Sequence, residues 1–211
     1  MRQRLQVLAL TVAALGCATT AEHVPIAETI DLSSFRVIGE LGSGPPGKWL
    51  KGANGAVVND TTRTAPSDSA PDAPEAPSVS LALLDGFRAR DMVVEASVGF
   101  TGLGAPSVVF RVQEQDGVAV SMYAVALHRG GVNLWLMEEG RWYCLHRREL
   151  PVAPGMAHCL RVTGERDRIT VGLDGGILFE VRGTSLMESG GAGICGREGQ
   201  CMFYAFGAKA L

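Results

Sequence analysis

Residues 168–181 read RITVGLDGGILFEV. Ile169, Val171 and Leu173 occupy every second position up to Asp174-Gly175-Gly176, and Ile177, Phe179 and Val181 resume that spacing beyond it. A period of two places alternate side chains on one face of a strand. Asp-Gly supplies the left-handed backbone of a tight hairpin turn. The stretch therefore predicts two antiparallel strands sharing one apolar face.

The same spacing recurs outward from this hairpin. In residues 91–100, Met92, Val94, Ala96, Val98 and Phe100 share one face, with Val93, Glu95 and Ser97 on the other. Tyr123, Val125 and Leu127 fall together, and Val132, Leu134 and Leu136 alternate with Asn133, Trp135 and Met137. Arg129-Gly130-Gly131 and Glu139-Gly140 mark further turns. Glycine makes up 27 of 211 residues, well above the usual share of about 7%, as a turn-rich fold requires. Period-two runs broken by glycine turns predict an all-β sandwich or barrel of antiparallel sheets. No window after the first residues sustains a helical period with caps.

The N-terminus has a different character. Arg2 and Arg4 precede a mainly apolar, uncharged run over residues 5–16, too short to span a bilayer comfortably. The run ends in Ala14-Leu15-Gly16-Cys17, which resembles a bacterial lipobox. That resemblance implies a lipoprotein signal over residues 1–16, lipidation of Cys17 and a tether over residues 17–30. It places the chain in a bacterial cell envelope, with the N-terminal lipid as its only membrane contact. Cleavage after Ala21, giving a secreted protein, and an uncleaved anchor are the alternatives. A formal net charge of −3 gives no whole-chain reason to expect a nucleic-acid partner. Residues 31–211 read as one domain, interrupted at 61–78 by a loop with Pro66, Pro71, Pro74 and Pro77 whose composition cannot order itself.

Four cysteines follow Cys17, and four allow three pairings. Export favours disulfides. Cys195 and Cys201 flank a short loop and are expected to bridge it, leaving Cys144 with Cys159. Neither spacing matches a zinc site, and His146 and His158 form no ligand signature with them.

An ordered series of short motifs extends this reading. Val108-Val109-Phe110-Arg111, Tyr123-Ala124-Val125, the run from Pro154 to Val162, the run from Arg168 to Gly175, and Gly191-Ala192-Gly193-Ile194 with Phe203-Tyr204-Ala205-Phe206 follow one another. The series resembles the concanavalin A-like lectin/glucanase superfamily, in particular its laminin-G-like and 3-keto-disaccharide-hydrolase-type domains. The resemblance implies a jelly-roll sandwich of two antiparallel sheets. It also implies either glycan binding or an atypical glycoside hydrolase of the 3-keto-disaccharide type.

The acid pattern of the glucanases is absent. Glu114-Gln115-Asp116 runs straight into Gly117, and position 119 is Ala. Two carboxylates on one strand face, as nucleophile and proton donor, are therefore not supplied there. No nucleophile elbow or phosphate loop occurs either. The reading leans away from an enzyme and expects no cofactor, with structural calcium left open. What remains is a binding patch. Sugars are held by aromatic faces beside planar hydrogen-bonding groups, and Arg111, His128, Asn133, Trp135 and Trp142 are the candidates for it. The opposing reading packs both tryptophans between the sheets and pairs Arg111 with an acid. Arg147-Arg148 reads as a solvated strand end.

Overall fold

The computed structural model describes residues 30–40, 48–52, 56–60, 80–186 and 188–211. The signal over residues 1–16, Cys17, almost all of the tether and the loop at 61–78 lie outside the described residues.

Among the described residues the chain forms fourteen strands. In order they are β1 (Phe35–Glu40), β2 (Lys48–Lys51), β3 (Val57–Asp60), β4 (Ser80–Leu84), β5 (Met92–Phe100), β6 (Ser107–Gln115) and β7 (Val118–His128). There follow β8 (Gly131–Glu138), β9 (Arg141–Glu149), β10 (His158–Glu165), β11 (Arg168–Leu173), β12 (Gly176–Val181), β13 (Gly191–Gly196) and β14 (Gln200–Ala210). They make two seven-stranded sheets, one ordered β1-β4-β13-β6-β7-β8-β9 and the other β12-β11-β10-β5-β14-β3-β2. This is the expected jelly-roll sandwich of two antiparallel sheets.

Local chemistry explains the hairpins. Asp174 and Gly175 have φ of 50° and 83°, Glu139 and Gly140 have 50° and 75°, and Asp116 and Gly117 have 52° and 78°. Two successive left-handed residues match the twist of the flanking strands. Glycine takes that conformation at little cost in the second position.

The alternation read from the sequence sorts the side chains. Met92, Val94, Ala96, Val98 and Phe100 of β5 are fully buried between the sheets. Across the gap they meet Tyr123, Val125 and Leu127 of β7 and Val132, Leu134 and Leu136 of β8. Each large apolar side chain so buried contributes roughly 1.5–3 kcal/mol.

The first sheet also closes on itself. β1 pairs antiparallel with β4, and its last residues, Gly39 and Glu40, pair in parallel with Val118 and Ala119 of β7. Strands β1, β4, β13, β6 and β7 thus form a ring. On the side away from the inter-sheet core lies a second apolar cluster that includes Ile38, Leu81, Leu83, Val109, Met122, Met137 and Cys195. Arg36 of β1 reaches over to Glu114 of β6 with a two-pronged contact of 2.7 and 3.0 Å. The strands β8 and β9 stand outside the ring as a wing.

The expected disulfides are not formed: none of the four cysteines from Cys144 to Cys201 is bridged. The reason is topological. The connections from β9 to β10 and from β13 to β14 cross between sheets instead of folding back as hairpins. Cys144 is exposed on the first sheet, whereas Cys159 lies on the second beside Glu95. Cys195 belongs to the cluster of the ring, and Cys201 to the inter-sheet core.

Candidate functional site

The outer face of the wing gathers most of the candidate residues. Ladder partners point to the same side of a sheet, so the register defines three rows. Ala126 of β7 pairs with Asn133 of β8, which pairs with Arg147 of β9. The next row is Ala124, Trp135 and Cys144, and the third is Met122, Met137 and Trp142.

Beside the first row lies a cleft of about 560 Å³, with His128, Asn133, Arg147 and Glu149 in its lining. The His128 ring is fixed by its Nδ1, which accepts the Gly130 N–H at 3.1 Å. In the neutral ring the proton then sits on Nε2. That Nε2 is buried and has no hydrogen-bond partner among the described residues. A buried donor left unmatched costs about 1–3 kcal/mol, so an acceptor supplied from outside would recover that energy.

The two tryptophans form an edge-to-face pair, with ring centroids 6.4 Å apart and planes at 85°. Both pack at the margin of the second apolar cluster, outside the inter-sheet core. The Arg147 guanidinium lies 5.9 Å from the centre of the Trp135 ring, and that of Arg197 lies 4.7 Å from the Trp142 ring. Arg147 Nε also donates to the Cys144 sulfur at 3.3 Å. That bond holds the guanidinium above its ordinary value.

Four of the five candidate residues therefore share this face: His128 and Asn133 line the cleft, with Trp135 and Trp142 beside it. The fifth does not. Arg111 is fully buried and takes a left-handed φ of 52°. Its guanidinium donates to the carbonyls of Arg90 (2.8 Å), Leu186 (3.0 Å) and Arg166 (2.7 Å), and contacts Asp91 at 3.4 Å. Burial pushes the group downward and Asp91 opposes that shift. It is a fastening for three loops, inaccessible to a ligand.

Arg147, Glu149 and Arg197 are the residues that sequence reasoning missed. A register shift between Leu134 and Trp135, opposite Leu145, brings Arg147 level with Asn133. Such an irregularity changes which face a side chain occupies. Strict alternation could not reveal it.

The outer face of the second sheet carries another cavity, of about 700 Å³, lined in part by Val93, Glu95, Cys159 and Arg161. Glu95 is only 4% exposed. It accepts from Arg161 at 2.8 Å and from the Cys159 thiol at 3.3 Å. Burial, reinforced by Glu95, pushes that thiol up to about 12. A thiol held protonated is a hydrogen-bond donor and a poor nucleophile.

In the wing cleft, Glu149 is the single carboxylate among the described lining residues. The site offers donors, an aromatic pair and shape, without the paired acids that glycosidic cleavage uses. No group of three or more metal-ligating side chains occurs among the described residues.

No family model and no curated protein matches the sequence. Solved structures do match the fold. The carbohydrate-binding module CBM66 from Bacillus subtilis superposes with a TM-score of 0.64 at 15% identity, covering 83% of this chain and 95% of that one. A Bacillus subtilis protein of unknown function with a galectin-like fold gives 0.61 at 8% identity, covering 84% and 89%. A prokaryotic β-1,3-1,4-glucanase (lichenase) from a mouse hindgut metagenome gives 0.60 at 9%, covering 87% and 96%. What they share with this chain is the fold, a sandwich of antiparallel sheets.

Proposed function

We propose that the chain is an exported saccharide-binding module, held in a bacterial envelope by lipid on Cys17. The observation that carries the binding role is the convergence of His128, Asn133, Arg147 and Glu149 in one cleft beside the Trp135–Trp142 pair. Hydroxyl-bearing ligands need donors and acceptors in fixed directions, and these side chains supply both. The neighbours described as carbohydrate-binding and glucanase proteins support the reading at the level of fold. Support for the tether comes from the sequence: two arginines, an apolar run and a lipobox-like exit at Cys17.

Two experiments test the two halves. Polysaccharide pull-down or a glycan array with the soluble domain is expected to give saturable signals that vanish in an Asn133→Ala, Trp135→Ala double variant with unchanged circular dichroism. Absence of saturable binding at millimolar saccharide would count against the binding role. Metabolic labelling with a fatty-acid analogue is expected to mark the wild type and not Cys17→Ser. Equal labelling of both would remove the tether.

A further inference from the structure

We infer that the wing cleft selects acidic saccharides, those carrying uronate carboxylates, over neutral ones. The inference rests on the saccharide-binding reading and names its ligand class. An indole face that is bare can stack on the C–H face of a neutral sugar ring. Here each indole of the pair already carries a guanidinium: Arg147 on Trp135 and Arg197 on Trp142. An incoming ligand on those faces therefore meets cations.

The remaining groups point the same way. Arginine presents N–H donors in a planar fork whose spacing matches the two oxygens of a carboxylate. The Nε of Arg197 is buried and has no hydrogen-bond partner among the described residues. The Nε2 of His128 is in the same condition at the other end of the face. Asn133 adds a side chain that both donates and accepts. Glu149 is the one opposing charge in the cleft lining, against the cation of Arg147. With Arg197 counted on the same face, two guanidiniums stand against one carboxylate, although the whole chain is formally −3. A ligand rich in anionic oxygen supplies what this face lacks.

Calorimetric titration of the full-length chain in detergent with a panel of uronic-acid oligosaccharides tests the inference. Each acid is compared with the same molecule after its carboxylates are reduced to alcohols. At least one acid is expected to bind about tenfold or more tighter than its reduced partner, with the difference shrinking as salt rises. Arg147→Gln and Arg197→Gln, each shown to fold by circular dichroism, are expected to weaken binding of the acid more than binding of its reduced form and so to narrow that difference. Equal binding of acid and reduced forms would overturn the acidic preference while the saccharide reading stands. Binding of neither form by any member of the panel would overturn both. Dextran sulfate that binds as tightly as the best uronate, insensitive to both substitutions, would reduce the effect to unspecific polyanion attraction and overturn the inference.

Discussion

Arg111 shows how a residue can be read correctly as special and wrongly as accessible. Its position inside the apolar run from Val108 to Val112 marks it as out of pattern, and it takes a left-handed backbone at 52° with its side chain buried. Three carbonyls and Asp91 converge on one guanidinium. Removing it leaves those acceptors buried and unmatched, a class of change that costs about 3–5 kcal/mol. Arg111→Ala is accordingly expected to lower the unfolding free energy by that order, read as a lower urea midpoint at unchanged slope. Arg111→Lys is expected to recover only part of it, because a single ammonium cannot reproduce the fork. A midpoint within experimental error of wild type for Arg111→Ala would contradict the fastening role. The side of the sheet that His128 and Asn133 occupy was legible because the pairing of β7 with β8 runs without a register shift. Arg147 was not legible, since a single irregularity in β9 decides its side.

Among the elements, β5, β7, β8, β11 and β12 were visible as period-two runs, and the turns at 139–140 and 174–175 as Glu-Gly and Asp-Gly pairs. The sheet order was not, because period two says which face is apolar and nothing about which strands become neighbours. That gap produced the wrong disulfides. It also hid the ring formed by β1, β4, β13, β6 and β7. The ring depends on glycine at the β4–β13 contact: a Cβ on Gly193 would stand 2.2 Å from the Ala82 carbonyl oxygen and 2.8 Å from the Leu83 Cα. Both are backbone atoms and cannot rotate away. Gly193→Ala is expected to destabilise by about 2 kcal/mol or more, read as a lower thermal midpoint and faster exchange of amides in β4 and β13. Thiol chemistry checks the cysteine placements. A maleimide reagent at neutral pH is expected to modify exposed Cys144 first and Cys201 last, without prior reduction. A requirement for reductant before any modification would restore the bridges.

For the whole molecule, the buried thiols set an alkaline limit. Burial pushes Cys201 from 9.0 to about 12, and Cys159 is shifted in the same direction. The unfolded chain loses these protons near the ordinary value while the folded chain keeps them. Between those limits the unfolded state binds fewer protons, so stability falls as pH rises. The contribution is fully present below pH 9.0 and is lost by about 12. Denaturant midpoints across that window are expected to decline in the wild type and to decline less steeply in Cys201→Ala. Parallel curves would place the alkaline loss elsewhere.

The face of the wing remains the centre of the account, and the tryptophans there report on it directly. Nuclear magnetic resonance titration of the soluble domain with uronic-acid and neutral oligosaccharides reads each indole N–H separately. The account predicts saturable shifts of the Trp135 and Trp142 indoles and of amides around His128 and Asn133. Shifts confined to β5 and β10 around Glu95, or none at millimolar ligand, would contradict it.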